Sequence, residues 1–150
     1  MTKRYTLEPI GIVDSPFKTR GDVPCCQKDR LDASGTLEIF SRFQQGLDSI
    51  DGFSHIIVLF RFHFSKDEPL MVVPYLDTIE RGVFSTRSPA RPNLIGLDIV
   101  ELVKREENIL TIKGLDMLDG TPIIDIKPYT YYDQRTEIKL GWLEGKVERC

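Results

Sequence analysis

The residues that mark the commonest enzyme chemistries are scarce in this chain. There are two histidines, His55 and His63, and three cysteines, Cys25, Cys26 and Cys150, with no CxxC among them. Adjacent cysteines cannot chelate one zinc with good geometry, and two histidines eight apart match no zinc motif, so no metal site is expected. No Ser-His-Asp order or reactive-cysteine context points to a hydrolase, and no carboxylate pair has a spacing diagnostic of glycosidase or aspartic-protease work. A P-loop, GxGxxG, internal repeats and alternating βαβ units are all missing, which argues against a Rossmann enzyme. No apolar run approaches the roughly 20 residues that span a bilayer. The N-terminus, MTKRYTLEPIG, lacks the continuous apolar segment of a secretory signal. A cytoplasmic protein with free thiols is therefore expected.

What remains is an ordinary globular composition. With 150 residues, 41% hydrophobic and 29% charged, one domain with a real core is the natural expectation. The net charge of −3 sets 20 Lys and Arg against 23 Asp and Glu. A protein that grips nucleic acid by phosphate neutralisation is normally basic, so any RNA binding here must use a local patch or a partner subunit.

Short strands dominate the pattern. Strand character runs over 5–13 (YTLEPIGIV), with Pro9 at an edge or bulge, and again over 37–40. The polar, Gly/Pro-punctuated stretch 18–34 reads as a long loop. Phe40, Phe43, Leu47 and Ile50 fall at helical spacing, predicting an amphipathic helix ended by Asp51-Gly52. The most apolar run, 53–64 (FSHIIVLFRFHF), predicts a long central strand with Arg61 and His63 on one face. Further strands are expected over 70–75, 97–103 and 109–113, with a charged hairpin turn at 104–108 and a last strand or turn over 137–147. Trp142 there reads as a plug or interface residue. Many strands and one clear helix predict an all-β fold, a single closed or partly open barrel.

The chain is organised around 82–103, GVFSTRSPARPNLIGLDIVELV. Two prolines three residues apart remove two backbone donors, so its middle is a stiff loop. That loop presents Arg87, Arg91 and Asn93 between two apolar segments expected to be strands. The stretch resembles the signature GVFATRSPxRPNPIGLS of the TsaA-like (TrmO) family of S-adenosylmethionine-dependent tRNA methyltransferases, with Leu94 in place of a proline and Ala90 in place of a bulky residue. Three more segments resemble family motifs in the same order. GIVDSPF with VPCCQKD matches GxIxSPxK…VPRQ, a cysteine standing where the family has arginine. FSHIIVLFRFH matches FSHLWxLFxFH, and GLDMLDGTPIIDIKPY matches GxDLLDGTPVLDIKPY.

The resemblance implies a homodimeric β-barrel enzyme that binds S-adenosylmethionine and methylates N6 of threonylcarbamoyladenosine beside the tRNA anticodon. Carried over by position, the cofactor neighbours are Gln27, Lys28, Asp29, His63, Phe64, Arg87, Leu97 and the run Lys113, Gly114, Leu115 and Asp116. Arg91, Asn93, Lys127 and Tyr129 are expected to contact the substrate. Arg91 suits a carboxylate or phosphate because its fork binds such groups bidentately. The accepting nitrogen carries a carbonyl substituent and needs a base; Asp119 and Asp125 are the candidates, and both stay open. One barrel domain over 1–150 is expected, without the C-terminal domain that larger members append. Two other readings compete: a methyltransferase with a different acceptor, and a non-enzymatic barrel that senses the cofactor or binds a partner.

Overall fold

The computed structural model describes residues 2–24 and 27–146, so all three cysteines and their expected free thiols lie outside the described residues. Eight strands form: β1 (Gly11–Asp14), β2 (Ser34–Ile39), β3 (His55–Arg61), β4 (Met71–Val72), β5 (Arg81–Gly82), β6 (Ile95–Glu106), β7 (Ile109–Lys113) and β8 (Pro122–Pro128). Six of them close a barrel in the order β1-β2-β7-β6-β3-β8, every pairing antiparallel. β4 and β5 form a separate two-stranded ribbon. Closure satisfies the sheet edges that an open sheet would expose. The expected all-β barrel is the fold.

Period-two alternation decides which side chains enter the barrel. From β3, Ile56, Val58 and Phe60 point inward; Val13, Leu37, Ile39, Val100, Leu110, Ile112 and Ile123 join them. Phe17, Leu115 and Met117, from loops at one end, complete the core. Gly96 of β6 is required by packing: a Cβ there would lie 2.4 Å from the Phe60 ring and 2.8 Å from the Phe62 ring.

Several elements differ from the sequence expectation. The helix expected between Phe40 and Ile50 is a 3-10 run, Ser41–Leu47. Over so few residues, spacings of 3.0 and 3.6 residues per turn place the same side chains inward, and Gly46 weakens an α-helix. The only α-helix among the described residues, α1 (Gln27–Asp32), lies inside the expected loop 18–34. Its six residues are too few to show a periodic apolar stripe. β1 begins at Gly11, and 70–75 pairs only at Met71–Val72. The charged segment 104–106 continues β6, so the hairpin turn is Glu107-Asn108, with Glu107 at φ 55°. Val83–Ser85, expected as an apolar strand, is a 3-10 turn. The segment near the C-terminus is likewise a turn, Gly141–Leu143. Its Trp142 donates from Nε1 to the Ser85 carbonyl at 2.8 Å. Arg81 and Lys146 lie over the indole and both pair with Asp77. Trp142 thus clamps the central loop.

No helix of the described residues is long and apolar enough to cross a membrane. Gly96→Ala should overpack β6 against Phe60 and lower stability by about 1–3 kcal/mol, read as the urea midpoint; an unchanged midpoint would show that the two rings move aside freely.

Candidate active site

β6 is paired unequally on its two sides. Against β3 the register runs from Ile95↔Arg61 to Glu101↔His55. Against β7 it begins only at Glu101↔Lys113. Among the described residues, 95–100 of β6 therefore has no strand on its β7 side. The cause is Gly114, which takes φ 86°, a conformation costly to any residue with a Cβ. Its N–H donates to the Ala33 carbonyl at 2.8 Å, and the chain leaves the sheet. Leu115 and Met117 then enter the core.

Asp98 fills the place the ladder vacates. It points inward from β6, 6% exposed, and its Oδ2 accepts the Asp116 backbone N–H at 3.0 Å. Burial first, and then the Asp116 carboxylate, push the Asp98 carboxyl up to about 8. Asp116 in turn pairs with Arg30 of α1 at 2.5 Å, and Lys113 pairs with Asp32 of the same helix at 3.4 Å. The exposed Lys113–Asp32 pair is worth only about 0–1 kcal/mol, and the Arg30–Asp116 pair is half-buried. Together they fix α1 against the loop after β7. Arg30 Nε is buried and has no acceptor among the described residues. Asp29 is exposed on this helix, and the side chains of Gln27 and Lys28 lie outside the described residues.

The next wall is the outer face of the barrel. Paired residues share a face, so the row Leu97–Leu59–Asp125 crosses β6, β3 and β8, and Ile99–Ile57–Lys127 runs beside it. Asp125 pairs with Lys127 at 2.7 Å. Tyr129 packs edge-on to His55 with ring centroids 6.2 Å apart. Asp125, Lys127 and Tyr129 thus border the face that presents Leu97. Asp119 does not. It sits at the barrel end, accepting the Ser15 N–H at 3.0 Å and pairing with Lys18 at 2.9 Å, and these contacts, Lys18 first, hold its carboxyl below the usual range.

Beyond the last rung of β3 come His63 and Phe64, ring centroids 4.0 Å apart, with Phe64 50% exposed. Partial desolvation lowers the His63 imidazole from its ordinary value. The Phe62 N–H donates to the Leu94 carbonyl at 2.8 Å, which holds this segment to the central loop. In that loop Arg87 is exposed and makes no hydrogen bond or ion pair among the described residues. Arg91 is turned inward instead: its Nη1 donates to the carbonyls of Thr86 (2.8 Å) and Ser88 (3.3 Å). The Asn93 N–H donates to Glu68 Oε1 at 3.1 Å. Asn93 and Leu94 are both left-handed, at φ 65° and 54°. Asparagine tolerates that region, but proline, held near −65°, cannot adopt Leu94's conformation.

The structure thus gathers Lys113, Gly114, Leu115, Asp116 and α1 beside Leu97, with Leu115 buried. It places His63, Phe64 and Arg87 toward the other end of the β6–β3 pair. Asp98 and Arg30 were missed by the sequence reading. The alternation around Leu97 carried a signal for Asp98, because its neighbours in parity, Gly96 and Val100, face the core. Arg30 had none.

These observations now meet the comparisons. The family model for the tRNA-methyltransferase O N-terminal domain matches residues 12–134. The chain belongs to this family. A probable S-adenosyl-L-methionine-binding protein of Pyrococcus abyssi is 49% identical over 142 residues, covering 94% of this chain and 77% of that protein. A tRNA (adenine(37)-N6)-methyltransferase of Mus musculus is 39% identical over 133 residues, covering 81% of this chain and 30% of that protein. The crystal structure of TrmO from Pseudomonas aeruginosa superposes with a TM-score of 0.78 at 34% identity, covering 93% of this chain. The chain spans 62% of the length of that solved protein.

Asp98 makes stability depend on pH. Its folded pKa, about 8, lies above the ordinary carboxyl value of 3.8, so between these the folded chain holds a proton that the unfolded chain releases. Stability should decline as pH rises from about 4 to about 8 through this group, and Asp98→Asn should lose that decline. Melting curves of the two proteins across this range provide the check; identical pH dependence would contradict it.

Proposed function

We propose that the chain binds S-adenosylmethionine and transfers its methyl group to N6 of a modified adenine in tRNA, threonylcarbamoyladenosine beside the anticodon. The observation that carries this reading is the unpaired stretch of β6 ending beside the Asp98–Asp116–Arg30 cluster, with Leu97 and Asp125 on one outer row. Support comes from family membership and from the names of the mouse and Pyrococcus relatives.

The residues suit such a cofactor. A sulfonium cation needs apolar walls, an aromatic face and a few directed hydrogen bonds. Leu97 offers a wall and Phe64 an aromatic face, while the unpaired backbone of β6 can bond a flat heterocycle edge-on. Asp116 has a carboxylate for hydroxyl or amino groups, and Arg30 an unused donor. The bound cofactor supplies an electrophilic methyl. The protein must hold the acceptor nitrogen in line with it, and alignment should contribute much of the rate. Of the two candidate bases, Asp125 is the better placed, because it shares the outer face with Leu97 while Asp119 holds the Ser15 turn together. Lys127, paired with Asp125, and Arg87, unpartnered among the described residues, are the candidate cations for phosphate or carboxylate, and Arg91 acts by shaping the loop.

We further infer a homodimer. Ile95, Leu97 and Ile99 are 39%, 45% and 44% exposed on one strand, a contiguous apolar stripe suited to a second copy. A partner would also supply RNA contacts that a chain of net charge −3 makes sparingly on its own. A tRNA substrate places this work in the cytoplasm. The acidic balance favours one runner-up, a cofactor-binding barrel with another acceptor or a sensing role.

Labelled S-adenosylmethionine should mark tRNA carrying threonylcarbamoyladenosine and leave tRNA lacking it unmarked. Asp125→Asn should reduce kcat about 10²–10⁴-fold, the usual range for a general base, with Asp119→Asn close to wild type in kcat. Cofactor binding without label on either tRNA would shift the reading to another acceptor or to sensing; no cofactor binding would overturn it.

A further inference from the structure

We propose that Asp98 is a positioning residue of this site, setting Asp116 and α1 in place for the bound cofactor by clamping the chain after β7 to the unpaired stretch of β6. The proposal rests on the reading of this region as a cofactor site and assigns the part played by a residue beneath it. Leu97 and Asp98 are successive on β6 and face opposite sides of the sheet. Leu97 is exposed on the outer wall, and Asp98 is buried under it.

Between Lys113, the last residue of β7 to pair with β6, and Asp119, whose N–H bonds the Phe17 carbonyl at 2.8 Å, the chain has no ladder. Two bonds hold its start: the Gly114 N–H to the Ala33 carbonyl, and the Asp116 N–H to the Asp98 carboxyl. The second fixes where the Asp116 carboxylate points. That carboxylate then receives Arg30, and Arg30 carries α1. A displaced Asp98 would therefore move an acceptor on the loop and a donor on the helix together.

An acid here does more than an amide would. While neutral, the Asp98 carboxyl accepts the Asp116 N–H and can donate its own proton toward the Asp116 carboxylate beside it. Once ionised, two carboxylates face one another with the Arg30 guanidinium as their shared counter-ion, because Lys113 of β7 is already paired with Asp32 of α1. Those are the charged groups around Asp98 from the loop, the helix and the neighbouring strand. Repulsion would open the clamp, and the change falls near pH 8, where burial and Asp116 have moved this carboxyl.

The test is calorimetric binding of S-adenosylhomocysteine, which lacks the labile sulfonium, at pH 6.5 and pH 9.0. Wild type, Asp98→Asn and Asp98→Ala are compared, each confirmed folded by its melting curve. Taking the ratio of affinities between proteins cancels the ligand's own titration. Asp98→Asn should match wild type within about threefold at pH 6.5 and bind at least tenfold more tightly than wild type at pH 9.0. Asp98→Ala should be weaker than both at pH 6.5. An Asn-to-wild-type ratio that stays constant with pH overturns the proposal, whether or not the alanine variant folds, as does a wild type that binds more tightly at pH 9.0. Failure of all three proteins to bind at either pH overturns the reading of the cofactor site itself, and this assignment with it.

Discussion

One departure from regular pairing organises the site. β7 stops facing β6 at Lys113 because Gly114 turns left-handed and sends Leu115 into the core. Half of β6 is then left without a strand on its β7 side. Here the Asp98 side chain ties the departing chain back to β6 through the Asp116 N–H, and the ligand is proposed to dock on the stretch from outside.

The surroundings follow from that break. The loop that leaves the sheet is free to carry Asp116 to Arg30, and this ion pair with Lys113–Asp32 holds a six-residue helix that has too few residues to be stable alone. On the outer face, strand register lines up Leu97, Leu59 and Asp125 although they are far apart in sequence. That alignment separates two aspartates that look alike in the sequence. Asp119 is absorbed in holding the Ser15–Lys18 turn, and Asp125 faces the wall.

Much of this was legible from residue pattern. Alternation and β-branched content marked β3, β6 and β7 to within a few residues, because each buries one face and exposes the other. The helix expected at 40–50 became a 3-10 run, since apolar spacing over two turns does not distinguish the two helices. α1 was read as loop because polar ties to another loop hold it, and such ties leave no periodic trace. Leu94's departure from the family's proline was visible in the sequence, but its left-handed backbone was not. Asp98 could have been found by counting parity from Leu97; Arg30 required the fold.

The central claim is that the unpaired stretch of β6 is where the cofactor docks. Backbone amide exchange with and without S-adenosylhomocysteine tests it most directly. Slowed exchange is expected over 95–98 and 114–116 on binding, with no change over 101–106, where β6 is paired with β7. Binding that leaves 95–98 unprotected and slows exchange elsewhere on the barrel would contradict it.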